Sequence, residues 1–441
     1  MVEAEREFVL NAAEERDIRF VQLWFTDVLG QLKAFAIPVE ELPEALTEGA
    51  SFDGSSIDGF ARAHEADMIA MPVPRTFQSL PWRPERAGVA RMFCDVLTSE
   101  GEPFEGDPRL VLKRTMERVR DLGFTAYVGH EIDFFLLAGP DDPTPVDSGS
   151  YFDLTPLDSA NDFRRGALIY LEALGIPVKD SHHEDAASQH GVDLRHADAL
   201  TIADSLMSFR LVVKEVAREQ GHYATFMPKP IEGVQGSGLH THVSLFEGER
   251  NAFFDPTDEY HLSKTGRSFM AGLLLHAREN TAITNQWVNS YKRLVPGFEA
   301  PTHVSWGARN RSALVRVPLT KRGKESSCRL EYRAPDPACN PYLTLSAILA
   351  AGMAGVRGEY DLPPEMGPDV AADAKAGRDV GLPALPESLP EALAAMRESE
   401  LVRGVLGDHL FEWFIANKVA EWSEHKAHVS RLEIERYLPR L

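Results

Sequence analysis

A chain of 441 residues is long for one hydrophobic core, and at roughly 150 residues per domain it divides into two or three units. Its 44% hydrophobic and 26% charged residues are globular proportions, which excludes a fibrous or disordered chain. Against 67 acidic residues stand 46 basic ones, and the formal charge of −21 repels polyanions, which excludes a general nucleic-acid binder.

The opening stretch, MVEAEREFVLNAAEERDIRF, has neither the basic start nor the apolar centre of a secretion signal. Within it Phe8, Val9, Ala12 and Ala13 recur at helical spacing and predict a helix over residues 5–17. Alternating stretches at 18–25 and 30–37, parted by Thr26 and Asp27, predict a hairpin-like pair, and 91–97 a further strand. Residues 98–108 are polar and rich in Gly, Pro and Glu, and they precede a helix at 110–122. That change of composition divides the chain into residues 1–103 and 104–441. Beyond it, strands are expected at 125–137, 239–246 and 328–334, and helices at 162–174, 205–220, 262–280 and 341–356. Residues 357–392 read as a surface excursion before the C-terminal helices. The mixture predicts a large α/β or α+β catalytic domain. The longest apolar stretch, 342–356, falls short of the roughly 20 residues of a membrane span. Cys94, Cys328 and Cys339 are too few and too scattered for a disulfide framework or a thiolate zinc site. A soluble, cytoplasmic protein without a membrane partner is the expectation.

Three strands carry polar groups at i, i+2 spacing, which points them from one face. In HEIDFFLL these are Glu131 and Asp133, in GLHTHVSL they are His240 and His242, and in CRLEYRAP they are Arg329, Glu331 and Arg333. One such strand is readily a solvated face, but three in one domain describe a site. Carboxylates with imidazole and no thiolate suit Mg²⁺ or Mn²⁺. SHHEDAASQH adds Glu184 beside His182 and His183, with a polar loop as its plainer reading. Arg293, Arg309, Arg311, Arg316, Arg322, Arg329 and Arg333, joined by Lys292, Lys321 and Lys324, crowd about forty residues of an acidic chain. Guanidinium groups beside divalent metal ligands point to phosphoryl transfer. The P-loop pattern, the strand-GxGxxG-helix fingerprint and GxSxG are all absent, so a nucleotide would bind without them.

The strings SFDGSSIDGFAR, EIDFFLL, SHHEDAASQH, GSGLHTHVSLF, NSYKRLVPGFEAP, ARNRSALVRVP and RLEYRAPDPACNPYL occur in that order over nearly the whole chain. Together they resemble a bacterial type I glutamine synthetase. The resemblance implies an α+β protein: an N-terminal β-grasp-like domain, then a glutamine synthetase/guanido kinase-like catalytic domain with an antiparallel sheet and flanking helices. It implies a dodecamer of two hexameric rings, with the SFDGSS loop of one subunit completing its neighbour's site. It also implies ATP, glutamate and ammonia as substrates, and two or three Mg²⁺ or Mn²⁺ ions per site.

Carried over by position, Glu131, His240 and Glu331 match ligands of the metal that contacts nucleotide phosphates, and Asp133 and Glu184 match ligands of a second. Arg293, Arg311 and Arg333 match positions that hold glutamate or the transferred phosphoryl group, with Gln235 and Gly236 in the glutamate-binding segment. Arg316, Arg329, His242 and Ser244 fall on the nucleotide side. Asp53 and Glu299 match the carboxylates that bind and deprotonate ammonium, with Ser56 and Tyr151 as neighbours. Arg62 matches a feedback-inhibition position. The YDLPPE string at Tyr360 resembles an adenylylated loop but comes earlier in the chain.

The chain departs from the family at three places on the glutamate and amine side. Asp133 stands for a Glu, Gly191 for the Glu of a Gln-x-Glu motif, and Gln235 for an Asn. His190, Asp185 or Asp193 are the nearby groups to replace the missing carboxylate. Two readings therefore stay open beside glutamine synthetase: a γ-glutamyl ligase for an organic amine such as a polyamine, ethanolamine or an alkylamine, and a catalytically silent homologue.

Overall fold

A computed structural model describes residues 2–59, 67–82, 88–308, 310–320, 323–367 and 370–441. Arg62, Arg309, Lys321 and Arg322 lie outside the described residues.

Two sheets organise the described residues. The first has six strands. Ile18–Thr26 and Leu32–Pro38 form the expected antiparallel pair, and Ile18–Thr26 also runs parallel to Gly88–Thr98. Asp67–Pro72 and Ala50–Asp53 extend the sheet to an edge. Helix Val2–Glu15 turns Val9, Ala12 and Ala13 onto this sheet, where they join Val21, Leu23, Ala90 and Met92 in one core. The helical spacing of those three residues is what makes the stripe.

The second sheet has eleven strands and is built around Thr125–Gly139. Val128, Ile132, Phe134 and Leu136 alternate along that strand and are fully buried in a core with Phe209 and Val213 of helix Ala199–Glu219. The opposite face is left free for polar groups. Leu239–Glu247 pairs on one side and Gln189–Leu194 on the other, both antiparallel. Leu330–Tyr332 follows Leu239–Glu247, and Val178–His183 follows Gln189–Leu194.

Four expectations are corrected here. SHHEDAASQH is not a polar loop: it spans the end of Val178–His183, a short turn and the start of Gln189–Leu194. Helix Ala199–Glu219 begins six residues before the predicted position 205, because the Asp198 carboxylate caps the Leu200 and Thr201 amides. The single helix expected over 262–280 is two, Lys264–Leu275 and Ala277–Thr284, meeting at His276 with φ −94° and ψ 8°. Residues 357–392 are not wholly a surface excursion. Leu385 is buried and its amide bonds to Thr302 O, and the isolated His303–Ala384 bridge ties the segment back to the domain.

The apolar stretch near 342–356 is the buried helix Pro341–Arg357, capped by Asn340, and among the described residues no helix is long and apolar enough to cross a membrane. It approaches Lys264–Leu275 closely at Gly272 and Gly355, where a Cβ would stand 2.2 Å from Ala351 O and 2.1 Å from Ser268 O. Helices Leu389–Arg397, Glu400–Ala427 and Arg431–Tyr437 close the chain.

Candidate active site

Antiparallel register assembles the site, because residues directly opposite on adjacent strands point to the same face. One row crosses four strands: Asp180, Asp193, Glu131 and His240. The next row holds His182, Gly191 and Asp133. A third, on the other flank, holds His242, Glu331 and Arg316. Motifs more than a hundred residues apart thus meet on one sheet face. From these rows Asp180, Asp193, Glu131, His240, His182, Asp133 and Arg316 line a cavity of about 450 Å³, walled by Tyr151, Phe152, Gln235, Gly236, Arg293, Phe298, Glu299, Arg311 and Arg333.

On the first flank the charges are matched. Glu131 accepts from His242 Nε2 at 2.7 Å and from His240 Nδ1 at 3.3 Å. These two bonds outweigh burial and hold its carboxyl well below the usual range. Arg329 Nε donates to His242 Nδ1 at 3.2 Å, which places the His242 proton on Nε2, toward Glu131. Glu331 is fully buried between the Arg316 and Arg333 guanidiniums, with Arg316 Nε at 2.6 Å. Burial raises its pKa, but His242, Arg333 and His240 prevail and hold it at about 2. Arg293, also buried, donates to Ala334 O at 2.7 Å and to Arg333 O at 3.0 Å. Burial lowers its pKa to about 10. Gly236 lets this arginine approach, since a Cβ there would lie 2.5 Å from Pro228 O and 3.0 Å from the Arg293 side chain.

The second flank is crowded with carboxylates. Asp133 accepts from the Gly238 amide at 2.9 Å, yet burial and the neighbouring Glu184 push its pKa well above the usual value. Burial and Glu131 likewise push Asp193 to about 6, although Lys179 bonds it at 2.7 Å. Gly191 sits in ordinary strand backbone, and the space above it is filled by its neighbours. A Cβ there would stand 2.8 Å from both Glu184 Oε1 and His182 Nε2. His182 Nε2 donates to Glu184 at 2.7 Å and its Nδ1 faces Asp180 at 3.4 Å. Although burial opposes it, the Glu184 bond and charge raise His182 to about 9, so the ring is an imidazolium here. Of the other candidates to replace the missing carboxylate, Asp185 is exposed and does not line the cavity, and His190 is fully buried against Phe134 and Phe163 and bonds Arg164 at 3.0 Å. It belongs to the core.

The rim holds Arg311, 3.6 Å from Glu299 and with its guanidinium 5.9 Å from the Tyr151 ring centroid. Tyr151 stacks on Phe152 at 4.0 Å, and His182 meets both rings edge-on. Of the residues singled out in the sequence, Glu131, Asp133, Tyr151, Glu184, Gln235, Gly236, His240, Arg293, Glu299, Arg311, Arg316 and Arg333 line the cavity. His242, Glu331 and Arg329 stand behind it, linked by hydrogen bonds, and Ser244 is buried two residues beyond His242. Asp53 and Ser56 are exposed near the edge strand Ala50–Asp53 of the other sheet and do not line it. Phe152, Asp180, Ser181 and Phe298 were missed. Asp180 alone had a signal, lying two residues before His182 on a strand.

The donor set fits a divalent cation: carboxylate oxygens of Glu131 and Glu331 lie within 4.8 Å of each other beside His242, and the His240 ring stands 3.3 Å from Glu131 and 3.9 Å from Glu331, so oxygen and imidazole nitrogen meet there. Comparison with known proteins agrees with this chemistry. The family model "Glutamine synthetase, beta-Grasp domain" matches residues 17–99, and "Glutamine synthetase, catalytic domain" matches residues 105–437. The glutamine synthetase of Mycolicibacterium smegmatis is 53% identical over 99% of this chain and 100% of its own length. Among solved structures, a GmaS/ADP complex is 33% identical with a TM-score of 0.89, covering 98% of this chain and 99% of its own. Plasmodium falciparum glutamine synthetase, 24% identical, shares the fold with a TM-score of 0.89 over 99% of this chain and 98% of its own. The two family models, which together span nearly the whole chain, and these relatives show that the chain belongs to the glutamine synthetase family.

Proposed function

We propose that this chain is an ATP-dependent glutamate–ammonia ligase, with the grasp sheet in residues 1–103 and the chemistry in residues 104–441. The observation that carries the reading is the pairing of a charge-matched carboxylate–imidazole–guanidinium row, Arg316 at the cavity wall with Glu331 and His242 behind it, with an over-acidic second flank of the same cavity. Glu131, Glu331 and His240 would hold one Mg²⁺ or Mn²⁺. His240 is preferred over His242, whose Nε2 proton is fixed by Arg329 on the far side of the ring. Asp133 and Glu184 would hold a second. Bound there, such ions neutralise phosphoryl charge.

The protein's own groups supply the rest. Arg316, Arg329 and Arg333 orient phosphates, and Arg293 stiffens the wall through two backbone carbonyls. The glutamate γ-carboxylate attacks the γ-phosphorus of ATP and ADP leaves, giving γ-glutamyl phosphate. Glu299 and Asp53 accept a proton from ammonium, and the freed ammonia attacks the acyl carbon with release of phosphate. Asp53 and Ser56 would reach the cavity of an adjacent subunit in a dodecamer of two hexameric rings, which their exposure in the single chain supports. Light scattering gives the assembly size.

One feature favours a second reading, an organic amine as acceptor. The Tyr151–Phe152 stack forms an aromatic wall in the cavity that also holds Glu184 and Asp180, which suits an alkylammonium by cation–π contact. Phosphate release with ATP, glutamate and a panel of ammonia, ethanolamine, methylamine and putrescine separates the readings. Release with ammonia preferred upholds the first. Release with organic amines alone replaces it by the second, and no release with any amine defeats both.

A further inference from the structure

A second cavity, of about 390 Å³, lies apart from the site above, where the Leu29–Leu32 turn of the first sheet meets helix Ala199–Glu219, strand Tyr223–Thr225 and Trp287. Its lining contains two cations, Arg210 and Lys214, and no carboxylate among the described residues. In a chain of charge −21 that composition is unexpected.

Arg210 is only 9% exposed. Its Nη2 donates to Cys339 O at 2.7 Å, its Nη1 has the Met207 sulfur at 3.7 Å, and its Nε has no partner. Asp336 acts on it through space, but the Asp336 carboxylate is engaged by Asn285 Nδ2 at 3.0 Å and the Ala338 amide at 3.1 Å. Burying a guanidinium without a hydrogen-bonded counter-charge costs free energy unless another anion arrives. Lys214, on the exposed rim, faces the Phe226 ring at 5.9 Å rather than an acid. Phe226, Tyr223, Trp287, Met207 and Met227 supply apolar walls.

We propose that this cleft binds a small organic anion, a planar apolar body bearing one carboxylate. The carboxylate meets Arg210 and Lys214, and the apolar body lies among Phe226, Tyr223 and Trp287. Arg210 Nη1, whose neighbour is the Met207 sulfur, lacks an oxygen acceptor, which one carboxylate oxygen would supply. Because the cleft joins the two sheets, its ligand bridges the grasp sheet and the catalytic domain.

Indole-3-acetate is the probe, titrated calorimetrically into the intact assembly, with neutral indole and inorganic phosphate as controls lacking the charge or the apolar body. Saturable binding of indole-3-acetate is expected, with both controls at least about tenfold weaker, the effect of losing one charge-assisted contact or the apolar burial. Saturating ATP and glutamate should not displace it. Lys214→Gln, on the rim and outside the catalytic machinery, should weaken the probe by about tenfold while phosphate release is unchanged. Arg210→Gln should abolish binding, provided its melting temperature shows a folded protein. Absence of saturable binding, equal affinity in folded Lys214→Gln and wild type, or displacement by ATP or glutamate would each overturn the proposal.

Discussion

The two flanks of the candidate active-site cavity share a sheet face and differ in how their charges are settled. Around Glu131 and Glu331, every carboxylate oxygen has an imidazole or guanidinium partner, and both pKa values fall. Around Asp133, Glu184 and Asp193, acids outnumber cations, and Asp133 and Asp193 are pushed up instead. The first flank is preorganised without help. The second is a site whose charge is balanced by His182, Lys179, the nearby Arg293 or a bound cation.

The sharpest way to break the first flank is Glu331→Ala. It strands Arg316 and Arg333 in a buried site, which costs about 3–5 kcal/mol of stability. Phosphate release should fall at least about 10²-fold. Calorimetry and a coupled phosphate assay read both effects, and near-normal activity would remove Glu331 from the site. Next comes Arg333→Lys. The guanidinium contacts Glu331 with one nitrogen and reaches Glu299 O at 3.4 Å with another, a fork that an ammonium cannot copy. Release should drop on the order of tenfold to a hundredfold. An unchanged rate would reduce Arg333 to a structural charge.

Gly191→Glu tests the second flank. The backbone there accepts a side chain, but its Cβ collides with His182 and Glu184 and its charge joins an acidic cluster. The expected cost is about 1–3 kcal/mol without metal, recovered in part by Mg²⁺ if the new carboxylate ligates it. Melting curves against Mg²⁺ concentration decide this. Equal destabilisation at every concentration would place the cation elsewhere.

The smallest effect concerns the core behind that flank. Burial first, then Arg164 and His183, lower His190 to about 3. The folded state therefore keeps a neutral ring whose unfolded counterpart protonates below about pH 6.5. Stability present above that pH is lost progressively as pH falls toward 3, roughly 1–2 kcal/mol at pH 5. Thermal melts of His190→Gln and the wild type should converge as pH drops from 7 to 5. Parallel curves would show that another group carries the acid sensitivity.

Particular residues show how far the sequence could be read. Glu131 with Asp133, and Arg329 with Glu331 and Arg333, were visible as shared faces because Cβ alternation along a strand is a local property. Capping at Asp198 and the break at His276 were not read, since a cap competes with the preceding chain and His276 carries no proline or glycine mark. The segment around the turn between His183 and Gln189 looked like a loop because His182 and Glu184, which line a cavity formed only on folding, are polar. Asp53 and Ser56 matched a motif, yet the single chain leaves them outside the pocket.

The family was carried in the sequence by its motif strings, while the kinds of donor atom and the face on which each stands follow from residue type and short-range periodicity. Register was decided by the tertiary structure: His182 over Gly191, Asp193 opposite Glu131, His242 opposite Glu331. Which residues face each other depends on strands far apart in the chain, and a slip of one position would turn every one of these groups to the other side.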